Sequence, residues 1–177
     1  MQNVITVTGQ LRPFFSTRVQ SPELRFTPLF EDEYVLCVGP QSPYWEAESI
    51  TIAEAMQQPY ITYRDEFIKN NGGVSDVFKG MTPNIVLRTD DIESIKKLIS
   101  HDNYVAFFHR HMNSDDIYRT SGAIRAIPIS DYDTSMQIGY IESTKYKLSN
   151  ADRAFLEILK AAVRHSLQDE SFAASDQ

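Results

Sequence analysis

Cysteine is almost absent from this chain. Cys37 is the only one in 177 residues, which excludes an internal disulfide and any intramolecular thiol switch and fits a reducing compartment. Positive charge is also scarce: 17 Lys and Arg stand against 24 Asp and Glu, a net charge of -7, with a pI near 5.0. So acidic a chain is not expected to grip DNA directly, because nucleic-acid affinity comes largely from Lys and Arg neutralising phosphates. No apolar run approaches bilayer length, and the first residues lack the basic start and apolar stretch of a secretion signal. The expectation is a cytoplasmic chain with no membrane partner. Catalytic signatures are missing too. There is no G-x-S-x-G, H-E-x-x-H or C-x-x-C pattern, and the Gly72-Gly73 pair lacks the spacing of a phosphate-cradling loop. A non-enzyme without cofactor or resident metal is therefore expected.

The most legible stretch is Asn84 to Met112. Ile85, Val86 and Leu87 form an apolar run too short for a helix, ending at the polar turn Arg88, Thr89, Asp90. Asp90 with Glu93 three residues on fits a capping box, and Ile92, Ile95, Leu98 and Ile99 fall on one helical face, with Lys96 and Lys97 in the last turn. His101, Asp102 and Asn103 then end the helix. Tyr104 to Phe108 come next as a continuous apolar run, the pattern of a strand covered on both faces. The spacing predicts a βαβ unit with parallel strands, whose carboxyl ends open toward the crevice where α/β folds bind small ligands.

Around this unit the signals are shorter. Val4, Ile5 and Val7 alternate as a strand would, and Gly9 and Pro13 punctuate the residues after them. An acidic turn at Glu31 to Glu33 leads into a strand Tyr34 to Val38, closed by Gly39-Pro40. Ser49 or Thr51 can cap a short helix through Met56, and Tyr60 to Tyr63 reads as a strand ended by Arg64, Asp65 and Glu66. Phe67 to Asn70 suggest a short turn of helix before the Gly72-Gly73 turn, and Val74, Val77 and Phe78 suggest a helix after it that ends at Gly80. Ile124, Ile127 and Ile129 alternate around Pro128 as on an edge strand, and Met136 to Ile141 forms another strand. Ser149 with Asp152 starts the longest helix, whose Phe155, Leu156, Ile158, Leu159, Ala162 and Val163 cover one broad face, and 168–177 read as a polar, frayed end.

Four stretches in this order resemble the effector-binding domain of LysR-type transcriptional regulators: LRFTPLFEDEYVLCVGPQSPYW, SITIAEAMQQPYITY, VLRTDDIESIKKLIS followed by YVAFFHRH, and KLSNADRAFLEIL. The resemblance runs from about Glu23 to Val163. It implies an α/β, type 2 periplasmic-binding-protein-like fold, with one near-complete βαβ lobe, a partial second lobe and the effector bound between them. It also implies a remnant of the first lobe and a crossing strand over 1–38, the second lobe over 39–133, and a return strand with the closing helix over 134–177. The family begins with a winged helix-turn-helix and most of the first lobe, so the resemblance implies an N-terminally truncated regulator without its DNA-binding part. The family's Gly-rich turn before the second strand of the βαβ unit is here His101, Asp102 and Asn103.

The crevice reading places Thr62, Tyr63 and Arg64, Thr89 and Asp90, and Phe108 and His109 at strand ends facing an effector. Thr89 leads, because the resemblance implies a hydroxyl among effector contacts just before this helix; a turn or cap hydroxyl is the competing explanation. Asp90, Asp91 and Glu93 already place negative charge at the helix start, so a carboxylate effector would need Arg64 or Arg88. His109 and His111, with His101 or Asp115, invite a metal reading that no further motif supports. The function expected is metabolite sensing, with a small-molecule effector and a homodimer or a full-length regulator as partner. The alternatives are a stand-alone interaction module pairing with such a regulator and, more remotely, a small metal-dependent enzyme.

Overall fold

The computed structural model describes residues 11–15, 22–63, 80–111 and 116–175. In chain order its elements are β1 (Leu11–Phe15), β2 (Leu24–Val38), α1 (Ile52–Gln57), β3 (Tyr60–Tyr63), β4 (Ile85–Thr89), α2 (Ile92–His101), β5 (Val105–His109), α3 (Ile117–Thr120), β6 (Arg125–Ile127), β7 (Ser135–Ser143) and α4 (Asn150–Ser175). Contacts divide the chain into two compact units, Met1–Glu31 with Met136–Gln177 and Asp32–Ser135. The strand expected at Val4 to Val7, the helices expected at Phe67 to Asn70 and Val74 to Phe78, and the Gly72-Gly73 turn lie outside the described residues, as do Arg64 and Asp115.

In the first unit β7 lies between β1 and β2. Pro13 sits inside β1, which among the described residues pairs only with β7, so the missing amide hydrogen of Pro13 is tolerated at a sheet edge. The strand expected as Met136 to Ile141 is longer, Ser135–Ser143. Helix α4 begins as anticipated: the Ser149 hydroxyl accepts from the Asp152 amide at 3.1 Å while the Asp152 carboxylate accepts from the Ser149 amide at 2.8 Å. Leu156 and Tyr140 form the apolar centre of this unit, with Leu29, Leu148, Phe155 and Leu159 packed against them. The helical face is narrower than expected. Ile158 is 69% exposed, because it lies a half-turn from the Leu156 side that meets the sheet. The helix also runs on to Ser175 rather than fraying from 168.

The second unit is built on β5, β3 and β4, with β3 in the middle and parallel to both neighbours. β4 and β5 are therefore parallel, as a βαβ unit requires, but β3 separates them. The residues of β2 from Tyr34 to Val38 run antiparallel to β5, and Leu36 to Val38 also pair with β6. The core is Val35, Leu36, Val38, Ile61, Val105 and Ile127, with Ile95 and Ile99 from α2. Short α1 has the full capping box of Thr51 and Glu54.

Three local expectations are corrected. The acidic residues Glu31 to Glu33 are not a turn: β2 is one strand of fifteen residues that passes straight through them. Helix α2 is capped by Asp91, whose carboxylate accepts from the Glu93 amide at 3.1 Å, and not by Asp90. It ends at His101 with Asp102 as its cap, so the last-turn base is His101 rather than Lys96 or Lys97.

Candidate functional site

Parallel pairing fixes where the strand ends fall. Tyr60 of β3 lies beside Val105 of β5, and Tyr63 lies beside Thr89 of β4. Three residues beyond Tyr60 and four beyond Val105, the chain reaches Tyr63 and His109, so the carboxyl ends of β3, β4 and β5 share one edge of the unit. Thr62, Tyr63, Thr89, Asp90 and His109 are brought there. Alternation along the strands then sorts them by face. Tyr60, Thr62, Phe107 and His109 line one face: the Tyr60 hydroxyl donates to Thr62 Oγ1 at 3.2 Å, and its ring meets Phe107 edge-on at 5.6 Å. Phe108 takes the opposite face, where it lines a small cavity with Cys37, Lys96, Asp116 and Arg119.

The threonine hydroxyls in the group already have local partners. Thr89 Oγ1 accepts from the Asp91 amide at 3.2 Å, a turn bond that sets up the helix start. The hydrogen bond from Ser94 to Asp91 holds that carboxyl below its usual range, and Asp90 beside it is exposed. The first turn of α2 therefore presents carboxylates of its own. Burial pushes the Tyr60 phenol up to about 12, opposed by its bond to Thr62. It remains a neutral donor at any physiological pH.

The most concentrated chemistry lies at the end of β5. Asp32, whose side chain is fully buried, accepts from its neighbour Glu33's amide at 2.7 Å and lies 2.9 Å from His111 Nδ1 through the same Oδ1. Its Oδ2 is 3.9 Å from His109 Nδ1. The His109 ring stacks on Tyr34 at 4.4 Å with a 32° tilt. Burial lowers the His109 pKa, and the Asp32 charge pulls the other way. On the far side of the strand pair, Arg110 Nε donates to Glu33 at 2.6 Å. Sequence reasoning singled out the two alternating histidines but not their carboxylate. Asp32 was hidden in the acidic stretch 31–33, and only the antiparallel register of β2 on β5 reveals that it meets residues 77 and 79 positions later. His101 closes α2, at the opposite end of β5 from His109. Among the described residues no group of three or more His, Cys, Asp and Glu is arranged to hold a metal ion.

Residues 13–164 match the LysR substrate binding domain. The chain belongs to this family. Its solved structural relatives include the effector binding domain of QuiR in complex with shikimate, at 18% identity and TM-score 0.65, covering 86% of this chain and 70% of that one. They also include the Synechocystis CcmR regulatory domain in complex with 2-PG, at 15% identity and TM-score 0.67 over 87% and 73% of the two chains. A third is the regulatory domain of MetR, a LysR family regulator from N. meningitidis, at 18% identity and TM-score 0.64 over 89% and 72%. No curated protein matches the chain. The likeness to these structures establishes the α/β, type 2 periplasmic-binding-protein-like fold, and the family match establishes a LysR effector-binding domain. Proteins of this family are regulatory domains rather than enzymes. Among the described residues no helix is long and apolar enough to cross a membrane.

Proposed function

We propose that this LysR effector-binding domain senses a small organic acid at the carboxyl ends of β3, β4 and β5. The observation that carries the reading is their parallel register, which sets Thr62 and Tyr63 beside Arg88 and Thr89 and brings His109 to the same edge. Thr89 supplies a hydroxyl that can turn from the Asp91 amide to a ligand, and Thr62 and His109 supply polar groups on one sheet face; Tyr63 and Asp90 complete the edge. Phe108 contributes from the opposite face, as packing beneath β5. Asp32 orients His111 beside His109. An acid suits the two ring nitrogens and Arg88, and the relatives solved with shikimate and with 2-PG hold ligands of that chemistry. The sensing domain works as a dimer or paired with a full-length regulator, since an effector acts by favouring one state of an assembly.

Thermal melts of the chain against a panel of hydroxy acids, aromatic acids and amino acids test this. A ligand at a hundred times its dissociation constant adds about 2.7 kcal/mol to stability. Stabilisation by one acid class, weakened about tenfold in affinity by Thr89→Ala, supports the site. Stabilisation that Thr89→Ala and His109→Phe both leave unchanged removes it. Mass measured across a dilution series tests the pairing.

A further inference from the structure

We propose that the first unit carries a second small-molecule site, for a carboxylate with a short apolar body, in the groove between β2, β7 and α4. The groove encloses about 390 Å³ and is built from three separate elements. Its floor is apolar: Tyr140 and Leu156, the centre of this unit's core, present their edges there together with Leu148. Its rim is cationic: Arg25 enters from β2, and Arg153 and Lys160, two turns apart on α4, stand along the other wall.

The charge balance favours an anion. Two carboxylates, Glu142 and Glu157, face three cations in the groove, an excess of positive charge on a chain whose net charge is -7. Glu142 is buried and is already matched by Arg25, whose Nε donates to it at 2.6 Å although the Arg25 side chain is 71% exposed. The Lys160 ammonium pairs with Glu157 at 3.1 Å, an exposed pair of the kind that contributes little to stability. Exchanging Glu157 for a ligand carboxylate therefore gives up little and gains a charge-assisted bond over an apolar floor. Arg153 donates to the Leu148 carbonyl at 2.7 Å, which fixes a cation at the mouth of the groove. An inorganic anion would leave the floor wet, and a neutral chain would leave the rim unused; a monocarboxylate satisfies both.

The test uses the whole chain and hexanoate as probe, with hexanol and inorganic phosphate alongside, read by two-dimensional NMR of backbone amides and methyl groups. Eight heavy atoms give a dissociation constant on the order of 1–10 mM. Saturable shifts at Leu148, Leu156 and Tyr140 with hexanoate, at least tenfold weaker with hexanol and with phosphate, are expected. The double variant Arg153→Gln with Lys160→Gln, both surface changes, should weaken hexanoate about tenfold and leave the melting temperature in place. Shifts confined to the ends of β3 to β5, equal binding of hexanol, or an unaltered constant in the double variant would each overturn the proposal. The double variant leaves Thr89 and the ends of β3 to β5 untouched, so its result tests this groove separately from the site at those strand ends.

Discussion

Asp32 Oδ1 and His111 Nδ1 lie 2.9 Å apart, so the fully buried carboxylate at the start of the second unit is closed off by a ring just beyond β5. Removing the carboxylate strips acceptors from the Glu33 amide and from His111 together. Asp32→Ala should cost about 2–4 kcal/mol, as expected when one partner of a buried charged hydrogen bond is deleted. His111→Ala should cost about 1 kcal/mol, because the Glu33 amide still holds the carboxylate. Urea unfolding of both variants measures the difference, and equal costs would contradict this account.

Acid should weaken the fold through His109. Burial lowers its folded pKa below the ordinary 6.5. The unfolded chain therefore takes up this proton first as pH falls, and stability is lost progressively from about pH 6.5 down to the folded value, with no such loss above about pH 6.5. His109→Phe keeps a ring against Tyr34 and removes the proton. Its urea midpoint should change less between pH 7.5 and pH 5.5 than that of the parent chain, and identical changes would place the acid sensitivity elsewhere.

Gly39 has no room for a side chain. A Cβ there would run into the Ile99 carbonyl, with the carbonyl carbon 2.9 Å away, and backbone cannot swing aside as a flexible side chain can. Gly39→Ala should destabilise by about 2–3 kcal/mol, the cost of overpacking a fixed contact. For a chain of this length that is a drop in melting temperature of roughly 4–12 °C.

Leu156 and Ile158 are two residues apart on α4 and should respond in opposite ways. Leu156 is 4% exposed and Ile158 69%. Leu156→Ala should cost about 2–4 kcal/mol for lost burial and the cavity left behind, and Ile158→Ala should stay within about 0.5 kcal/mol. Comparable losses from both would mean that the outer face of the helix is covered.

Cys37 should be chemically silent. It is buried between the strand pairings of β2, and burial pushes its thiol up to about 12. A thiol-reactive chromophore at pH 8 should leave it unmodified in the native chain and label it fully in urea. Prompt labelling of the native chain would show that this part of β2 opens readily.

How much could be read from the sequence depended on how local each signal is. Ser149 and Asp152 cap a helix within four residues, Ile95 and Ile99 mark its buried face within one turn, and Val105 to Phe107 declare a buried strand by composition. The errors lie where distant partners decide. Nothing local distinguishes Asp90 from Asp91 as a cap, since both precede the same apolar face. The charged stretch 31–33 looks like a turn until β5 is placed beside it, because a buried Asp32 makes sense only with His111 in contact. Ile158 fits the helical period, but the period does not say how wide a stripe the sheet will cover. At the candidate site the strand ends were legible from the βαβ pattern. Alternation alone puts Phe108 and His109 on opposite faces, but which face each takes needed the ring contact of His109 with Tyr34, and the role of Asp32 needed the register.

Leu36, Cys37 and Val38 are flanked on one edge by β5 and on the other by β6, so both rims of this short segment are occupied. Its amide protons should be among the last to exchange with solvent, released only when the second unit opens as a whole. The slowest exchange rate in these three residues thus reports the free energy of that global opening, and a change in that rate on adding an effector measures coupling energy directly without any probe at the binding site.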